Sequence, residues 1–375
     1  MSHPVAAAGI DYARRPMLVF WETTRACPLA CRHCRASAQL QPLPGQLDPA
    51  EGLALVDQVA GFGRPRPVLV FTGGDCLLRA DLFDLVDHAV GLGIPVALSP
   101  SVSPLLDPAT VRRIADRGVK AVSVSLDGAT PATHDTVRGI PGHFAQTVAA
   151  LRDLVAQGLT VQVNTTVMRG NVTELADVAR ILRDTGVHIW EVFFLVHVGR
   201  GTAVAAISPA EHVAVCHFLY DAGGYGFTVR TVEAPFFRRV VAERRAGGDP
   251  VDADLYGQLR DRLQAVLGPA SHRPRAQTTA TRDGKGILFV AHDGTVYPAG
   301  FLPLKLGNVR TRPLADIYRR HPLLRAIRAG RFAGRCGRCG YADLCGGSRA
   351  RAFAATGDPL GEDPACPLPV AAGLP

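Results

Sequence analysis

Short apolar runs alternate with amphipathic stretches along most of the chain, at a spacing of about 25–30 residues. Most of these runs are continuous, as expected for strands of a parallel sheet that helices cover. We therefore predict strands at Leu18–Glu22, Val68–Phe71, Val96–Ser99, Ala121–Leu126, Thr160–Val167 and Ile189–Val196, with a further strand at Phe227–Thr231. The predicted class is α/β, and six βα units suggest a partial (β/α)6, TIM-like barrel that is open on one side. Periodicity alone does not distinguish it from an eight-unit barrel or an open doubly wound sheet.

Helix signals fall between the predicted strands. Asp48 is a typical N-cap and Pro49 fits the first helical turn. Together with apolar spacing, such signals predict helices at Asp48–Phe62, Arg79–Leu92, Pro108–Arg117, Gly142–Gln157, Val172–Asp184, Ser208–Tyr220 and Phe236–Arg245. Active sites of such barrels lie at the carboxyl ends of the strands. Residues that directly follow a strand are therefore the first candidates for function.

Length and cysteine content limit the class of protein. The chain has 375 residues, enough for one large domain with a smaller one, or for two domains. The first sixteen residues lack the apolar core of a signal peptide, and no run of about 18 apolar residues suggests a membrane span. Nine cysteines without a secretory signal favour a reducing, cytoplasmic location and metal binding over disulfides.

The formal net charge of +8 could suit nucleic acid. However, the arginines are scattered, and no block of lysine and arginine with interleaved aromatic residues occurs. A coding bias toward arginine explains this charge, and an acidic substrate such as a carboxylate-bearing tetrapyrrole is the functional alternative. We do not expect nucleic-acid binding.

Three cysteines, Cys27, Cys31 and Cys34, lie close together in the segment RACPLACRHCR. They cannot all pair as disulfides, and a structural zinc site needs four ligands. A four-iron, four-sulfur cluster fits better, because a short loop can supply three thiolates to it. The fourth iron then stays open for a substrate or cofactor. A partial zinc site is the alternative.

This C-x3-C-x2-C pattern, placed just after a hydrophobic strand, resembles the signature of the radical S-adenosylmethionine (radical SAM) superfamily. The resemblance implies that the open iron chelates SAM, and that one electron cleaves SAM to a 5'-deoxyadenosyl radical that abstracts a hydrogen atom. His33 stands where the family usually has an aromatic residue. Gly73, Gly74 and Asp75 resemble the family's GGE motif, which binds the amino group of methionine, with Asp75 in place of Glu. Cys76 follows, where relatives commonly have proline; we interpret it as a small buried residue.

The segment SVSLDG, Ser123–Gly128, resembles the strand and loop that contact SAM in many members of the family. By this resemblance Ser125 and Asp127 are candidates for the ribose, and Arg138 for the carboxylate of SAM. Asn164 and Ser99 are further candidates at neighbouring strand ends. A plain turn at Asp127 is the alternative.

Four more cysteines lie near the C-terminus, at Cys336, Cys339, Cys345 and Cys366. Their number suits zinc as well as iron, but beside the first motif they resemble the SPASM extension of radical SAM enzymes. Full SPASM modules hold two auxiliary clusters. Here the hairpin segment Tyr297–Gly300 has no cysteine, and Arg349 stands where another ligand would be. We therefore expect one auxiliary 4Fe–4S cluster with four thiolates, for electron transfer or structure.

The chain is expected to divide into an N-terminal arm (residues 1–16), a radical SAM barrel (17–235), a connecting helix with a linker (236–286) and a SPASM-like module (287–375). The segment Gly268–Gly286 lacks apolar periodicity, which favours a mobile connector over a lid. A β-hairpin is predicted at Ile287–Pro298, turning at Asp293-Gly294. Cys216 lies on a predicted helix and is expected in the core.

The run Trp21–Ala38 resembles the haem-biosynthesis subgroup of radical SAM/SPASM proteins. We predict a radical SAM enzyme with two clusters and SAM, an electron donor such as flavodoxin or ferredoxin, and a tetrapyrrole side chain as substrate, by decarboxylation or a related step. One alternative is a maturase of a ribosomally made peptide. The alternative from another class is a non-enzymatic zinc-binding or nucleic-acid-binding protein. No acid–base residue for the substrate can be singled out.

Overall fold

The computed structural model describes residues 11–278, 281–366 and 368. Residues 1–10 of the predicted arm, 279–280 of the predicted linker, and 367 and 369–375 of the predicted C-terminal module lie outside the described residues.

The strands of the described chain form one ten-stranded sheet in the spatial order β10-β9-β8-β1-β2-β3-β4-β5-β6-β7. They are β1 (Leu18–Glu22), β2 (Val68–Thr72), β3 (Val96–Leu98), β4 (Ala121–Ser125), β5 (Thr160–Val167), β6 (Ile189–Phe194), β7 (Thr228–Val232), β8 (Ile287–Val290), β9 (Thr295–Tyr297) and β10 (Gly307–Asn308). Strands β1 to β7 follow one another in parallel. Because β10 and β7 are the two edges, the barrel is open, and the predicted fold class is confirmed.

Thirteen α-helices occur in the described chain: α1 (Pro49–Ala60), α2 (Leu82–Gly91), α3 (Pro108–Asp116), α4 (Pro131–Arg138), α5 (His143–Ala156), α6 (Leu175–Thr185), α7 (Pro209–Ala222), α8 (Phe237–Arg245), α9 (Asp254–Leu267), α10 (Leu314–Arg320), α11 (Pro322–Arg328), α12 (Gly334–Arg338) and α13 (Arg349–Thr356). The predicted start of α1 is correct: Asp48 and Glu51 form a capping box, with Pro49 in the first turn. Helices α4, α9 and α10 to α13 are not among the predicted helices. None of the described helices is both long and apolar enough to cross a membrane.

The two faces of the sheet differ in what they contact. In β5 and β6 the side chains alternate strictly between buried and partly exposed positions. The buried set, which includes Trp190 and Val163, packs in the main hydrophobic core. The other set, which includes Asn164 and Glu191, points into a cavity. The sheet is therefore packed on its outer face and leaves a site on its inner face.

Within the segment that we expected to be a mobile linker, residues 269–273 are exposed, whereas residues 276 and 281–284 are buried. Ala276 is 5% exposed and pairs with Val229 of β7. Arg282 and Asp283 are buried, and Arg282 N and Lys285 O form a tight turn before β8. These contacts use backbone hydrogen bonds and isolated buried polar residues. They produce no periodic pattern of apolar residues, so the sequence did not predict them.

The predicted hairpin is present as β8 and β9, and the chain turns at Asp293-Gly294. Asp293 accepts a hydrogen bond from Thr295 N, and Gly294 has the left-handed φ of 79° that such a turn requires. Strand β8 also pairs in parallel with β1. The hairpin therefore extends the barrel sheet rather than starting a separate one.

Candidate active site

A cavity of about 670 Å³ lies on the inner face of the sheet. The pairing register places one polar residue from each of four neighbouring strands, β4 to β7, in a single row across its wall. This polar wall consists of Ser125, Asn164, Glu191 and Arg230. The strands β8, β1 and β2 supply an apolar wall that consists of Ile287, Phe289, Leu18, Phe20, Val68 and Val70. The cavity thus suits a ligand with one apolar face and polar substituents.

The cysteine loop follows β1 and forms one rim of the cavity. Cys27 and Cys31 are 6% and 8% exposed, Cys34 is partly exposed, and Cys31 and Cys34 line the cavity. Arg200 fixes the loop from outside, because its Nε donates to Cys31 O at 2.9 Å and its backbone N donates to Cys34 O at 3.0 Å. Sequence reasoning missed Arg200. Arg200 contacts Cys31, which lies 169 residues earlier in the chain. The sequence around Arg200 carries no signal of such a long-range contact.

The donor set of this loop fits the iron–sulfur cluster that its motif implies. The three cysteines are free thiols in one small buried group with Leu29 and Ala38. In the described chain, no three His, Cys, Asp or Glu side chains are arranged around a single metal ion. A four-iron cluster needs no such common point, because each thiolate binds a different corner.

Gly73 and Gly74 bring the end of β2 against the cysteine loop. Gly74 N donates to Thr24 O at 2.8 Å, and Asp75 N donates to Ala26 O at 2.7 Å. A Cβ atom on Gly74 would lie 2.2 Å from Ala26 O, and one on Gly73 would lie 2.4 Å from Thr24 O. Only glycine permits this approach. Both glycines line the cavity, so their backbone is open to a ligand.

The Asp75 carboxylate is directed away from the cavity. It is fully buried, and it accepts hydrogen bonds from Leu77 N, Ser101 N and, at 2.7 Å, Ser103 Oγ. Burial nevertheless raises the pKa of Asp75 above its ordinary value. The side-chain contact with SAM that we predicted for Asp75 stays a prediction; in this structure the carboxylate supports the loop.

Ser101 is a site residue that sequence reasoning missed. Its Oγ donates to Gly74 O at 3.1 Å and lies 3.4 Å from Cys27 Sγ, so it joins the glycine loop to the cysteine loop. It lies in the turn after β3, two residues beyond the candidate Ser99, which also lines the cavity. A single serine in a turn carries no specific signal in the sequence.

Asp127 and Arg138 form a buried ion pair beside the cysteine loop, and the His33 side chain of that loop contacts Asp127. Arg138 Nη2 lies 2.5 Å and His33 Nε2 lies 3.4 Å from Asp127 Oδ2. Burial alone would raise the pKa of Asp127, but Arg138, His33 and the Thr166 N–H together lower it. Burial lowers the pKa of His33 to about 4, so its imidazole is neutral at pH 7.

This arrangement separates the predicted SAM contacts into two groups. Arg138, Ser125 and Asn164 line the cavity, whereas Asp127 does not. Arg138 Nη1 also approaches Cys31 Sγ at 3.6 Å. Asp127 therefore orients Arg138 toward the loop, and its predicted contact with ribose stays a prediction.

The four C-terminal cysteines are also free thiols. Cys336 Sγ accepts from Asp363 N and from Arg349 Nη2, both at 3.5 Å, and Cys366 N donates to Asp363 O. The loops that carry Cys336 and Cys366 are thereby joined. Burial raises the pKa of Cys345 to about 11, so binding a metal there would release a proton.

The two remaining cysteines, Cys76 and Cys216, are fully buried in the main core. The prediction for Cys216 is confirmed, and Cys76 is the small buried residue that we expected.

Two family profiles match the sequence of this chain. The sequence profile of the radical SAM superfamily matches residues 21–184, and that of the SPASM iron–sulfur cluster-binding domain matches residues 282–340. The first match implies a 4Fe–4S cluster and SAM, and the second implies auxiliary iron–sulfur clusters.

Curated relatives match over nearly the full chain. The AdoMet-dependent heme synthase of Oleidesulfovibrio alaskensis is 35% identical over 93% of this chain and 86% of its own length. The pre-heme d1 synthase of Dinoroseobacter shibae is 30% identical over 94% and 87%. The mycofactocin maturase MftC of Mycobacterium ulcerans is 31% identical over 94% and 88%.

Solved structures share the fold at low sequence identity. SuiB of Streptococcus suis superposes with a TM-score of 0.70 at 14% identity, over 95% of this chain and 78% of its own. The protein anSMEcpe with bound AdoMet superposes with a TM-score of 0.67 at 16% identity, over 93% of both chains. The profile and the curated relatives, rather than these structures, show that the chain belongs to the radical SAM superfamily and is an iron–sulfur enzyme related to the haem synthases.

Proposed function

We propose that this enzyme binds SAM at the rim formed by the cysteine and glycine loops and acts on a tetrapyrrole side chain in the adjoining cavity. The observation that carries the proposal is the cavity itself, which joins Cys31 and Cys34 to one apolar and one polar wall. The names of the haem synthase and pre-haem d1 synthase relatives support the substrate class.

Cys27, Cys31 and Cys34 would hold the SAM-binding cluster, which supplies the electron that cleaves SAM. The residues of the chain would bind and orient SAM and the substrate. The Gly73-Gly74 backbone is positioned for the methionine part of SAM, and Arg138 for its carboxylate. Ser125 and Asn164 offer hydrogen bonds on the polar wall.

The two walls of the cavity support an amphipathic substrate. A tetrapyrrole has a flat apolar ring with carboxylate substituents, and the ring would lie against Phe20 and Phe289. Arg230 donates through Nε to Gln277, and Glu191, its neighbour on the polar wall, interacts with it only from beyond ion-pair distance. Arg230 is therefore our candidate for a substrate carboxylate. Enclosure by these walls would keep water away from a radical.

Cys336, Cys339, Cys345 and Cys366 would hold the auxiliary cluster, with no open iron. We also propose that a flavodoxin or ferredoxin supplies the electron, and that the enzyme works in the cytoplasm. The free thiols of all nine cysteines support a reducing compartment.

The test is the iron and acid-labile sulfide content per chain after anaerobic reconstitution, followed by assay of 5'-deoxyadenosine. We expect about eight irons, and about four after the triple replacement of Cys27, Cys31 and Cys34 by Ala. The matched control replaces Cys336, Cys339 and Cys345 by Ala; it should also keep about four irons, but the first triple variant alone should lose SAM cleavage. One or two zinc ions and no iron would overturn the proposal.

A peptide substrate is the second candidate, because the MftC relative is named as a maturase. The two candidates differ in what stimulates 5'-deoxyadenosine formation. An iron porphyrin with propionate side chains should stimulate it under our proposal. Stimulation by a precursor peptide, and none by the porphyrin, would favour the maturase.

A further inference from the structure

Three arginine side chains converge on the loop that carries Cys336 and Cys345. Arg349 is fully buried, Arg282 is 6% exposed, and Arg238 is partly buried. The guanidinium groups of Arg349 and Arg282 both lie over the ring of Phe332, at 4.5 and 5.3 Å from its centroid. We call these three residues the arginine shell.

The arginine shell is held by neutral groups. Apart from the hydrogen bond of Arg349 Nη2 to Cys336 Sγ, the three side chains donate to backbone carbonyl oxygens: those of Gly347, Pro359 and Gly361 for Arg349, of Ala342 and Asp343 for Arg282, and of Leu344 and Thr281 for Arg238. Within the described ranges, no carboxylate lies within the 4.0 Å ion-pair distance of any of the three. By contrast, the neighbouring Arg351 pairs with Asp363 at 3.0 Å.

No carboxylate is therefore paired directly with the three positive charges of the arginine shell. A buried cation without a counter-charge is strongly unfavourable, and three of them also repel one another. Burial, and then the neighbouring Arg282, lower the pKa of Arg238 to about 10. The buried Asp283 acts on all three arginines, and Asp343 acts on Arg282, but only from beyond ion-pair distance.

The cysteine thiolates beside the arginine shell could supply the missing negative charge. Arg349 Nη2 lies 3.5 Å from Cys336 Sγ. A Cβ atom on Gly347 would lie 2.4 Å from Arg349 Nη2 and 2.9 Å from Cys336 Sγ, so glycine lets the guanidinium and the sulfur meet. A Cβ atom on Gly346 would lie 1.8 Å from Arg282 Nη1. Because Gly346 and Gly347 have no side chains, the guanidinium groups of Arg282 and Arg349 can lie directly against the loop that carries Cys345.

We propose that Arg349, Arg282 and Arg238 form a cationic shell that balances the four-thiolate auxiliary cluster and raises its reduction potential. The inference rests on the proposed assignment of that cluster. The reduced cluster carries one more negative charge than the oxidised cluster, so nearby fixed cations stabilise the reduced form more. Arg349 stands where a ligand of a second auxiliary cluster would be. In this chain, Arg349 at that position would instead supply a positive charge next to the four-cysteine auxiliary cluster.

The test uses the full chain with Cys27, Cys31 and Cys34 replaced by Ala, so that only the auxiliary cluster contributes to the spectrum. The midpoint potential is measured by redox titration with electron paramagnetic resonance. We compare R349Q and R282Q, which remove a charge, with R349K and R282K, which keep it. The control R335Q removes an arginine next to Cys336 whose charge is already paired with Glu362 at 3.2 Å.

At the midpoint potential of the parent triple variant, the ratio of reduced to oxidised auxiliary cluster should fall about tenfold when R349Q or R282Q is added. It should change less in the lysine variants, and less in R335Q as well, because Arg335 is partly exposed and solvent screens its charge. If R349Q does not load iron, R282Q still decides. Glutamine variants that hold about four irons and titrate at the parent potential would overturn the arginine shell. A parent without iron would instead overturn the cluster assignment, and the shell with it.

Discussion

Gly74→Ala tests whether the glycine loop must touch the cysteine loop. The added Cβ would lie 2.2 Å from Ala26 O and 2.7 Å from Ala26 C, both backbone atoms. Backbone cannot rotate away as a flexible side chain can, so the two loops must separate by about 1 Å to reach ordinary contact. This movement stretches two hydrogen bonds, Gly74 N to Thr24 O and Asp75 N to Ala26 O.

The magnitude follows from these contacts. Overpacking costs about 1–3 kcal/mol, and each weakened hydrogen bond adds about 0.5–1.5 kcal/mol. We therefore expect Gly74→Ala to lower the free energy of unfolding by about 2–5 kcal/mol. Because the same separation moves Cys27 away from Ser101, iron loading of the first cluster should also fall.

The assay is urea unfolding of the cluster-free protein, followed by iron content after reconstitution. The control is Gly257→Ala, since Gly257 lies inside α9 and a Cβ added there would have nothing within 4 Å. Alanine there should stabilise the protein by up to about 1 kcal/mol. A Gly74→Ala protein that unfolds at the wild-type urea concentration and loads full iron would refute the reasoning.

Three further predictions concern buried carboxylates. Arg138→Gln should cost about 3–5 kcal/mol of unfolding free energy, because Asp127 stays buried without its cation; the double variant with D127N should recover much of it, and no recovery would contradict the pairing. The pKa of Glu233 is raised well above its ordinary value by burial and by Asp283, so ionisation opposes folding at higher pH. E233Q should therefore gain stability over the wild type as pH rises above about 4.5 in urea titrations, and a constant difference would argue against a neutral Glu233. D75N should cost about 1–3 kcal/mol in thermal unfolding, because an amide cannot accept all three hydrogen bonds; an unchanged melting temperature would rule out the supporting role.

Most of the barrel could be predicted from the sequence, because its strands are short apolar runs with turn residues at their ends. The predicted Thr160–Val167 strand is identical to β5, and the other predicted strands of the barrel differ from the structure by at most two residues at either end. The placement of β8 beside β1 could not be predicted. It joins segments more than 260 residues apart, and local periodicity carries no information on such a pairing.

The candidate site shows a similar division. The seven cysteines that we propose as cluster ligands could be selected from the sequence, because each group lies within one loop or one short module and has a characteristic spacing. The directions of Asp75 and Asp127 could not, since a carboxylate after a strand can face either the cavity or the protein. In both cases nearby donors decide: Ser103 binds Asp75, and Arg138 binds Asp127.

The position of the cavity links the two groups of cysteines. One end is lined by Cys31 and Cys34, and the lining also includes Gly347 and Ser348, which follow Cys345 within three residues. Ser348 further donates to Glu233, whose φ of 58° is unusual for a residue with a side chain. A ligand that fills the cavity would therefore reach from the cysteine loop after β1 to the strained end of β7. Because Ser348, which contacts that end, follows Cys345 by three residues, the same ligand would lie between both proposed clusters.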